Sequence, residues 1–272
     1  MKPLLDWQSA EVVNIYDETS LWAAPFGKLL LDNIPMQRGW DVLDIGFGTG
    51  YPLVELAQRF GPTSVVTGID IWEAAIARTR EKIRVCGLEN IRIVEQDAAK
   101  MPFEAASFDL ITSNLGVNNF AEKEAVIAEC KRVLKPGGSI AITTNVEGTF
   151  NQLFAIFHKC MEKLNLEEPL QKLQQYIEHR STIIGTIALF EEKGFTHTKT
   201  VEDEACFRFV DAQALFNHSL IRIGFRAGWE NLLAPEDQER FFELATRFID
   251  DHIAESGEIR LEVPVVYLAF GA

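Results

Sequence analysis

The sequence predicts an α/β protein with a mostly parallel β-sheet, and three observations support that prediction. A short apolar run at residues 41–45 is followed by glycines at positions 46, 48 and 50 and then by a helix-like segment. This order of strand, glycine turn and helix is the usual form of a nucleotide-binding loop. Apolar strands and amphipathic helices then alternate up to residue 145, which is typical of βαβ units. A final β-rich stretch covers residues 259–270.

Each element has its own pattern of apolar residues and breakers. Residues 4–34 predict helix, interrupted at residues 25–27 and ended by Pro35. In the alternating part the predicted strands are residues 41–45, 64–69, 91–94, 108–112 and 139–144, and the predicted helices are residues 52–60, 73–85 and 120–134. Beyond residue 145 the predicted helices are residues 150–164, 170–179, 182–193, 211–224 and 235–255, with strands at residues 196–210 and 259–270. Pro264 predicts a bend in the last strand or an edge position for it, because proline cannot donate to a strand ladder.

The composition favours a globular protein with a substantial core. The 272 residues are 47% hydrophobic and carry a net charge of −14, from 26 basic and 40 acidic residues. Because phosphate binding depends on Lys and Arg, this balance argues against nucleic acid as a partner. No apolar run has the roughly 18 residues expected of a membrane helix, and the N-terminus lacks the apolar segment of a signal peptide. We therefore expect a cytoplasmic monomer or homodimer without membrane insertion.

The four cysteines, Cys86, Cys130, Cys160 and Cys206, are widely separated along the chain. Their spacing fits neither a metal site nor a disulfide framework. Each has apolar neighbours, so we expect four reduced cysteines in the core. The sequence also shows no clustering of His and carboxylate residues that would predict a metal site.

Two kinds of cofactor site use a glycine loop of this sort. A dinucleotide-binding loop needs the pattern G-x-G-x-x-G, and Tyr51 occupies the position of its third glycine. The pattern here is instead D-x-G-x-G-x-G, from Asp44 to Gly50, and Asp70 closes the second predicted strand. An NAD-dependent oxidoreductase is therefore the less favoured of the two interpretations.

Five segments, in this order, resemble class I S-adenosylmethionine (SAM) methyltransferases. They are the glycine loop, residues 68–70, residues 95–98 with 101–103, residues 107–111 and residues 132–138. The resemblance is closest to the quinone-biosynthesis-like branch of small-molecule methyltransferases, the methyltransferase type 11 branch. It implies S-adenosyl-L-methionine as cofactor and a Rossmann-like sheet of seven strands that ends in an antiparallel strand.

The resemblance also implies a set of cofactor-binding residues at the ends of the first strands. They are Asp44, Gly46, Phe47, Gly48, Gly50, Asp70, Ile71, Asp97, Ala98, Asn114 and Leu115. Asp70 can accept hydrogen bonds from both ribose hydroxyls, because a carboxylate has two oxygens. Asp44 can hold the loop or the ammonium group, while Asp97 and the Ala98 N–H can bind adenine, flanked by Ile71 and Trp72. The alternatives are that Asp70 caps the next helix and that Asp97 accepts from turn amides.

The methyl acceptor is expected just beyond the fourth strand, since ligands of such sheets bind at the carboxyl ends of the strands. Asn114 is the best candidate there for contact with the methionine part of SAM or with the acceptor. Asn118 is the candidate catalytic residue of this segment. Asn119 is a second candidate for substrate contact, although Asn119 followed by Glu122 also matches a capping box for the next helix. Asp109 is expected to anchor the backbone at the fourth strand.

Four side chains outside the sheet are candidates for closing or completing the site. Tyr16 and Trp22 lie in the N-terminal helical segment, which folds over SAM in many relatives, and core packing is their alternative role. His218 is the candidate general base, and Arg222 is the candidate for binding an acidic acceptor. Both lie between the last two predicted strands, where relatives carry substrate-specific insertions. A surface position is the alternative for each.

The chain is expected to form a single domain with three parts. Residues 1–38 form a helical lid, residues 39–146 the SAM-binding core, and residues 147–272 complete the sheet and form the substrate cap. Methyl transfer needs mainly alignment and exclusion of water, because the cofactor is already activated. We therefore predict a SAM-dependent methyltransferase with a small, apolar or aromatic acceptor, and a non-catalytic SAM-binding protein is the alternative. Residues 115–116 replace a His-containing pair of quinone-type relatives, which argues against a quinone.

Overall fold

The computed structural model describes residues 6–18 and 22–272, with only the backbone described for Glu18. Parts of the predicted N-terminal helical segment, at residues 1–5 and 19–21, lie outside the described residues. Within them the segment forms two helices, α1 (Ala10–Glu18) and α2 (Ala23–Asn33). The predicted interruption at residues 25–27 is wrong, because Pro25 lies in the first turn of α2, where its missing N–H has no helical partner to lose.

The chain divides into two compact units. The first contains Met1–Thr144, Ile183–Asp203 and Val265–Ala272, and the second contains Asn145–Thr182 and Glu204–Pro264. Each unit is therefore assembled from segments that are far apart in sequence. The last two strands of the chain each contribute residues to both units.

Seven strands lie within the described residues. They are β1 (Asp41–Ile45), β2 (Val65–Asp70), β3 (Ile91–Glu95), β4 (Phe108–Asn114), β5 (Leu134–Asn145), β6 (Thr196–Phe209) and β7 (Ile259–Gly271). Their order in the sheet is β3-β2-β1-β4-β5-β7-β6. β1 to β5 pair in parallel, and the last strands are antiparallel. The predicted α/β class with a Rossmann-like sheet of seven strands is confirmed.

Two details of the later strands differ from the prediction. β7 lies between β5 and β6, so the edge position predicted from Pro264 is wrong. A strand of 13 residues keeps enough other ladder bonds to tolerate one missing donor. β5 begins at Leu134, which pairs with Phe108 before the register shifts and pairing resumes at Ser139. This irregularity is typical of a β-bulge, and it absorbs the glycines that predicted a turn.

Nine helices follow β1 in the described chain. They are α3 (Leu53–Phe60), α4 (Glu73–Cys86), α5 (Lys123–Val133), α6 (Asn151–Lys163), α7 (Glu167–Glu178), α8 (Ile183–Glu191), α9 (Ala212–Asn217), α10 (Arg226–Glu230) and α11 (Pro235–Ser256). The helix predicted at residues 211–224 is divided into α9 and a π-helical turn, Ile221–Phe225, which leads into α10. None of the helices in the described part of the chain is long and apolar enough to cross a membrane.

The core of the first unit is built on the central strands. Leu43, Ile45 and Ile111 of β1 and β4 are almost completely buried. At the opposite ends of these strands, Asp109 Oδ2 accepts hydrogen bonds from the Asp41 N–H at 2.9 Å and from Lys135 Nζ at 2.8 Å. The carboxylate therefore joins the starts of three adjacent strands, and the predicted anchoring role of Asp109 is confirmed.

The core of the second unit is aromatic. Phe157 of α6 lies 5.4 Å from Trp229 of α10 and 5.1 Å from Phe241 of α11, measured between ring centroids. Phe150 lies 4.9 Å from Phe225. Edge-to-face arrangements of this kind add to the free energy of burying the rings.

The four cysteines are free thiols, but their positions differ. Cys130 and Cys160 are buried, and burial raises the pKa of Cys160 to about 12. Cys206 is half-buried, whereas Cys86 is exposed, so its predicted core position is wrong. Its neighbour Val85 is also largely exposed, which shows that apolar neighbours in sequence did not indicate burial at the end of α4.

Candidate active site

The glycine loop forms a tight turn directly after β1. The Gly50 N–H donates to the Phe47 carbonyl at 2.9 Å, and the Gly46 N–H donates to the Ile69 carbonyl of β2 at 2.9 Å. Gly46 has φ +74° and Gly48 has φ +51°, a region that side chains other than glycine rarely adopt. A Cβ on Gly48 would meet no atom within 4 Å. The loop backbone at Gly48 therefore faces open space, as a backbone that contacts a ligand must.

Asp70, at the end of β2, binds the loop and faces the same space. Its Oδ2 accepts from the Gly48 N–H at 2.7 Å, and its Oδ1 accepts from the Trp72 N–H at 2.9 Å. Helix α4 begins at Glu73 without a side-chain cap, so the alternative that Asp70 caps this helix is wrong. Each carboxylate oxygen can accept a further hydrogen bond, which leaves Asp70 able to bind two hydroxyls.

The turn after β3 supplies a second carboxylate. Asp97 Oδ1 accepts from the Ala99 N–H at 2.9 Å, which supports the alternative that Asp97 satisfies turn amides. The Gln96 N–H donates to the Asp70 carbonyl at 3.0 Å, so the turn is attached to the end of β2. Ala98 is buried within a short 3₁₀ turn, Ala98–Lys100.

These segments surround a cavity of about 490 Å³ in the first unit. Its volume lies within the roughly 300–1,000 Å³ usual for small-molecule and cofactor sites. The described residues that line it are Trp7, Tyr16, Ile45, Gly46, Gly48, Ile69, Asp70, Ile71, Trp72, Gln96, Asp97, Ala98, Gly116, Asn119, Phe120, Ala121, Glu122 and Val126. Nine of the predicted site residues are therefore brought together: Tyr16, Gly46, Gly48, Asp70, Ile71, Trp72, Asp97, Ala98 and Asn119.

One wall of the cavity is an aromatic cluster of Trp7, Tyr16 and Trp72. Their ring centroids are 5.2 to 6.0 Å apart in edge-to-face arrangements. Trp72 Nε1 donates to the Trp7 carbonyl at 2.8 Å, which connects the N-terminal segment to the end of β2. Burial, together with the nearby charge of Asp70, raises the pKa of Tyr16. The phenol therefore keeps its proton and remains a hydrogen-bond donor.

Helix α1 is attached to α4 by ion pairs. Asp17 accepts hydrogen bonds from Arg78 Nε at 3.0 Å and from Lys82 Nζ. Lys82 Nζ also donates to the Thr49 carbonyl at 2.8 Å, and Thr79 Oγ1 donates to the Gly48 carbonyl at 3.0 Å. The same helix therefore holds both the segment that carries Tyr16 and the glycine loop.

Asp44 lies two residues before the loop and is completely buried. Its Oδ1 accepts from Thr112 Oγ1 at 2.7 Å, while its Oδ2 has no hydrogen-bond partner among the described residues. Burial raises the pKa of Asp44 to about 7; the charge of Asp70 adds to the rise, and the Thr112 hydrogen bond opposes it. An unpaired buried carboxylate oxygen is costly, and a cationic ligand group at this end of β1 would compensate it.

Several predicted cofactor residues support the loop rather than line the cavity. Phe47 is buried against β2, where a Cβ on Gly68 would lie only 2.7 Å from its ring. The Asn114 amide is used inside the fold, since its Oδ1 accepts from Thr143 Oγ1 at 2.7 Å. Gly50 and Leu115 contribute positive φ angles, 101° and 63°.

Two further candidates are engaged elsewhere in the first unit. Asn118 Oδ1 accepts from Thr144 Oγ1, and Asn118 is not among the residues that line the cavity. The Trp22 ring lies 5.6 Å from Phe26, within the N-terminal helices. A direct catalytic role for Asn118 and a lid role for Trp22 stay predictions.

The capping box predicted from Asn119 and Glu122 is wrong. Residues Gly116–Asn118 form a 3₁₀ turn, and α5 begins only at Lys123, after Glu122 and without a side-chain cap. Asn119 Nδ2 instead donates to the Leu115 carbonyl at 3.4 Å. The later helix start turns both Asn119 and Glu122 toward the cavity, where they are lining residues.

His218 and Arg222 belong to the second unit. His218 follows α9, its ring lies 5.4 Å from Phe209, and its Nδ1 is buried without a hydrogen-bond partner in the described chain. Arg222 is exposed on the π-helical turn. The general-base role of His218 and the acceptor role of Arg222 stay predictions.

The cavity also contains residues that the sequence did not predict as site residues. Trp7, Ile45, Ile69, Gln96, Gly116, Phe120, Ala121, Glu122 and Val126 all line it. Ile45, Ile69 and Gln96 are adjacent to predicted residues at strand ends, so their position was the available signal. Trp7 had no such signal, because its contact with Trp72 joins segments that are distant in sequence.

The geometry agrees with the comparison to known proteins. A family model of a methyltransferase domain matches residues 37–200. The chain belongs to the methyltransferase domain family. Demethylmenaquinone methyltransferase of Staphylococcus aureus is 29% identical to this methyltransferase over 193 residues, which are 68% of this chain and 78% of the relative.

Solved structures show the same fold. A putative methyltransferase from Bacillus halodurans has a TM-score of 0.59 at 18% identity and covers 90% of this methyltransferase and 97% of its own chain. A SAM-dependent methyltransferase from Aquifex aeolicus has a TM-score of 0.56 at 21% identity, over 71% of this methyltransferase and 92% of its own chain.

The protein is therefore a class I SAM-dependent methyltransferase with S-adenosyl-L-methionine as its cofactor, as the sequence predicted. The residues of the cavity fit this cofactor. The open face of Gly48 admits a ligand to the backbone, and Asp70 retains acceptor capacity for hydroxyls. Asp44 does not line the cavity, but it has an unpaired buried oxygen two residues before the loop. The family favours this conclusion over the NAD-dependent alternative and over a non-catalytic binding protein.

Proposed function

We propose that this methyltransferase acts on a small aromatic acceptor and that residues of the second unit bind it. The observation that carries the proposal is the aromatic interior of that unit, in which Phe150, Phe225 and Trp229 are in ring contact. The segment Glu204–Pro264 of this unit follows the last residue matched by the family model. Sites grafted onto a shared fold determine the substrate, so this segment is where acceptor recognition is expected.

The composition of the SAM cavity supports the donor half of the proposal. Asp70, Asp97 and Glu122 line the cavity, and none of the described lining residues is Lys, Arg or His. A cavity lined by one sign of charge attracts ligands of the opposite sign. SAM supplies a methyl group that is activated by its positively charged sulfur, and the acidic cavity suits that charge.

The chain's own residues have two tasks in this reaction. Asp70 and the glycine loop position the donor, and the aromatic wall of Trp7, Tyr16 and Trp72 excludes water. An acceptor with an O–H or N–H group must also lose a proton, which requires a base. His218 is the proposed base, because its buried Nδ1 has no partner among the described residues and can accept a proton.

The Staphylococcus aureus relative supports the same acceptor class. It is named for demethylmenaquinone and is 29% identical to this chain. Leu115 and Gly116 stand where the quinone-type pattern has a His-containing pair, so the proposal extends to aromatic acceptors in general. Quinols form one arm of the test.

The test measures S-adenosylhomocysteine formation with SAM and a panel of acceptors. The panel contains quinols, phenols, aromatic carboxylic acids and indoles, with aliphatic amines and thiols as the comparison arm. We expect turnover in the aromatic arm only. Turnover confined to the aliphatic arm, or none in either arm with SAM bound, would contradict the proposal.

A pair of variants connects turnover to the second unit. Phe225→Leu removes a ring that lies 4.9 Å from Phe150 and is stacked on Trp229 at 6.0 Å. Phe248→Leu is the control, because Phe248 lies on α11 beneath Lys163 and outside this group of rings. We expect Phe225→Leu to lower kcat/KM for the aromatic acceptor about fivefold, since aromatic contacts are worth on the order of 1 kcal/mol beyond burial, while Phe248→Leu retains wild-type kinetics.

A further inference from the structure

The turn after β3 is held at both of its ends. At the first end, the Gln96 N–H donates to the Asp70 carbonyl of β2 at 3.0 Å. At the other end, the Met101 N–H donates to the Glu129 carboxylate of α5 at 2.9 Å. Asp97 lies between these two bonds and lines the SAM cavity. The position of its carboxylate in the cavity therefore depends on α5 as well as on the sheet.

Arg132 of α5 binds the same segment through its guanidinium. Its Nη1 donates to the Phe103 carbonyl at 2.7 Å, and its Nη2 donates to the Met101 carbonyl at 3.0 Å. Its Nε and Nη2 also donate to the two oxygens of Glu129, each at 2.7 Å. A guanidinium presents its donors in a fixed planar fork, so one side chain makes all of these bonds. We call Glu129, Arg132 and the backbone of Met101 and Phe103 the α5 clamp.

The α5 clamp does more than an ordinary ion pair on a helix surface. Glu55 and Arg59 of α3 form such a pair at 2.8 Å, and exposed pairs of this kind contribute little to stability. The clamp instead connects α5 to a segment 28 to 31 residues earlier in the chain. The hydrogen bond from Arg132 lowers the pKa of Glu129; burial opposes this effect and the Met101 N–H adds to it. The carboxylate therefore stays ionised and remains paired with the guanidinium.

Helix α5 also forms part of the cavity wall. Val126 lines the cavity three residues before Glu129, and Glu122 lines it just before the helix begins. Residues three or four positions apart lie on the same side of a helix. Neither Glu129 nor Arg132 is among the described residues that line the cavity. Any effect of the clamp on a bound cofactor is therefore exerted through the turn that it holds.

Backbone hydrogen bonds hold the part of the segment that follows the clamp. The Ala106 N–H donates to the Arg132 carbonyl at 3.0 Å, and the Ser107 N–H donates to the Val133 carbonyl at 2.7 Å. These bonds do not involve the side chain of Arg132, so a substitution at this position leaves them in place. The effect of such a substitution is expected at residues 97–103.

We propose that Glu129 and Arg132 are positioning residues for the adenine end of SAM. The family resemblance predicts that Asp97 accepts from the adenine amino group and that the Ala98 N–H donates to a ring nitrogen. Both groups belong to the turn that the α5 clamp holds, and groups fixed before binding recognise a ligand more tightly. The clamp therefore sets how strongly the site prefers adenine to another base. The inference concerns the methyl donor and does not depend on the proposed aromatic acceptor.

Calorimetry on the full chain tests the preference for adenine. The probes are S-adenosylhomocysteine and S-inosylhomocysteine, which share the ribose and the homocysteine but differ in the base. Inosine replaces the amino donor of adenine with a carbonyl and the ring acceptor beside it with an N–H. We expect the wild type to bind S-adenosylhomocysteine roughly 10- to 100-fold more tightly, the range for a hydrogen bond to a charged group. Equal affinity for the two probes in the wild type would overturn the inference.

Substitution of Arg132 assigns this preference to the clamp. Arg132→Met should reduce the preference at least threefold, mainly by weakening the binding of S-adenosylhomocysteine. Arg132→Lys keeps the charge without the fork and should restore only part of the preference. Arg59→Met is the matched control, because it breaks the pair on α3 and the side chains of Arg59 and Arg132 are 41% and 37% exposed. The wild-type preference in Arg132→Met, or an equal loss in Arg59→Met, would overturn the inference.

Two substitutions of Glu129 test the other side of the clamp. Glu129→Gln keeps an acceptor oxygen for the Met101 N–H, whereas Glu129→Ala removes it. We expect Glu129→Gln to retain more of the preference for adenine than Glu129→Ala. Equal preferences in these two variants would overturn the role of Glu129. If Arg132→Met does not fold, Arg132→Lys and the two Glu129 variants provide the same comparison with the wild type.

Hydrogen exchange without a ligand separates a positioning role from a purely structural one. In Arg132→Met we expect exchange at residues 97–103 to become about tenfold faster, while Ala106, Ser107 and the central strands keep their wild-type rates. Wild-type exchange at residues 97–103 would overturn the inference. Faster exchange throughout the first unit, with an unchanged preference for adenine, would identify Arg132 as a structural residue and would also overturn it. Neither measurement contains an acceptor, so a failure of the proposed acceptor class leaves both results unaffected.

Discussion

The backbone N–H of Gly48 donates a 2.7 Å hydrogen bond to the carboxylate of Asp70. This bond joins the loop after β1 to the end of β2, and the other carboxylate oxygen accepts from the Trp72 N–H at 2.9 Å. Both donors are backbone groups, so the carboxylate is held in place before any ligand arrives. A rigid acceptor that has already lost its side-chain entropy binds hydroxyls more tightly.

Asp70→Ala should therefore weaken S-adenosylhomocysteine binding about 10- to 100-fold, since hydrogen bonds to a charged group are worth roughly 1.5–3 kcal/mol. Asp70→Asn should have a smaller effect, because one amide oxygen remains an acceptor. Glu95→Gln is the matched control, since Glu95 pairs with Asp70 in the sheet register and does not line the cavity. Calorimetry measures all three, and wild-type affinity in Asp70→Ala would refute the assignment of Asp70.

The success of sequence reasoning at Asp70 has a physical basis. Strand ends in a parallel sheet meet at one edge, so residues that directly follow strands, such as Gly48, Asp70 and Asp97, are close in space regardless of the details of packing. The bounds of β1 and the anchoring role of Asp109 were also predictable, because both depend on short-range patterns.

The predictions that were wrong or missing concern helix starts and contacts between distant segments, which short-range sequence patterns do not determine. Asn119 and Glu122 match a capping box, yet a 3₁₀ turn at Gly116–Asn118 precedes the helix, which begins only after Glu122. The sequence of this segment is compatible with either helix start. Trp7 reaches the cavity through a contact with Trp72 between distant segments.

Gly48 and Gly39 offer a direct test of the open face of the loop. Both have positive φ, 51° and 82°, and a Cβ on either would meet no atom within 4 Å. Substitution by alanine should cost each protein about 1 kcal/mol of stability, because of the backbone conformation. Only Gly48 lines the cavity, so only Gly48→Ala should also weaken cofactor binding. Equal cofactor affinity in the two variants, measured by calorimetry, would contradict a loop that contacts SAM.

The ion pairs of Asp17 should control how firmly α1 covers the cavity. Asp17→Asn weakens the bonds from Arg78 and Lys82, so we expect faster hydrogen exchange at residues 10–18 and faster release of the cofactor. The wild-type release rate should rise with salt, because these charges are partly exposed and screened. Glu55→Gln is the control, as it breaks an exposed pair with Arg59 on α3. Wild-type exchange and release rates in Asp17→Asn would show that α1 is held by other contacts.

Asp44 should make stability depend on pH near neutrality. Its folded pKa is about 7, raised from 3.8 mainly by burial, so the folded state binds the proton more tightly than the unfolded state. The free energy of unfolding should then fall as the pH rises from about 4 to about 7, by on the order of 4 kcal/mol from this group. Asp44→Asn removes the titration and keeps an acceptor for Thr112, so its stability should vary less over that range. Chemical unfolding of both proteins between about pH 5 and pH 8 measures the difference.

Cofactor binding should lower the raised pKa of Asp44. A cationic group beside the unpaired Oδ2 of Asp44 favours the ionised carboxylate, so it lowers the pKa of Asp44. Binding of SAM near pH 6 should therefore release up to one proton, and affinity should rise as the pH approaches 7. Calorimetry in buffers with different ionisation enthalpies counts the proton, and Asp44→Asn should release none. The same proton release in wild type and Asp44→Asn would assign it to another group and separate Asp44 from the cofactor.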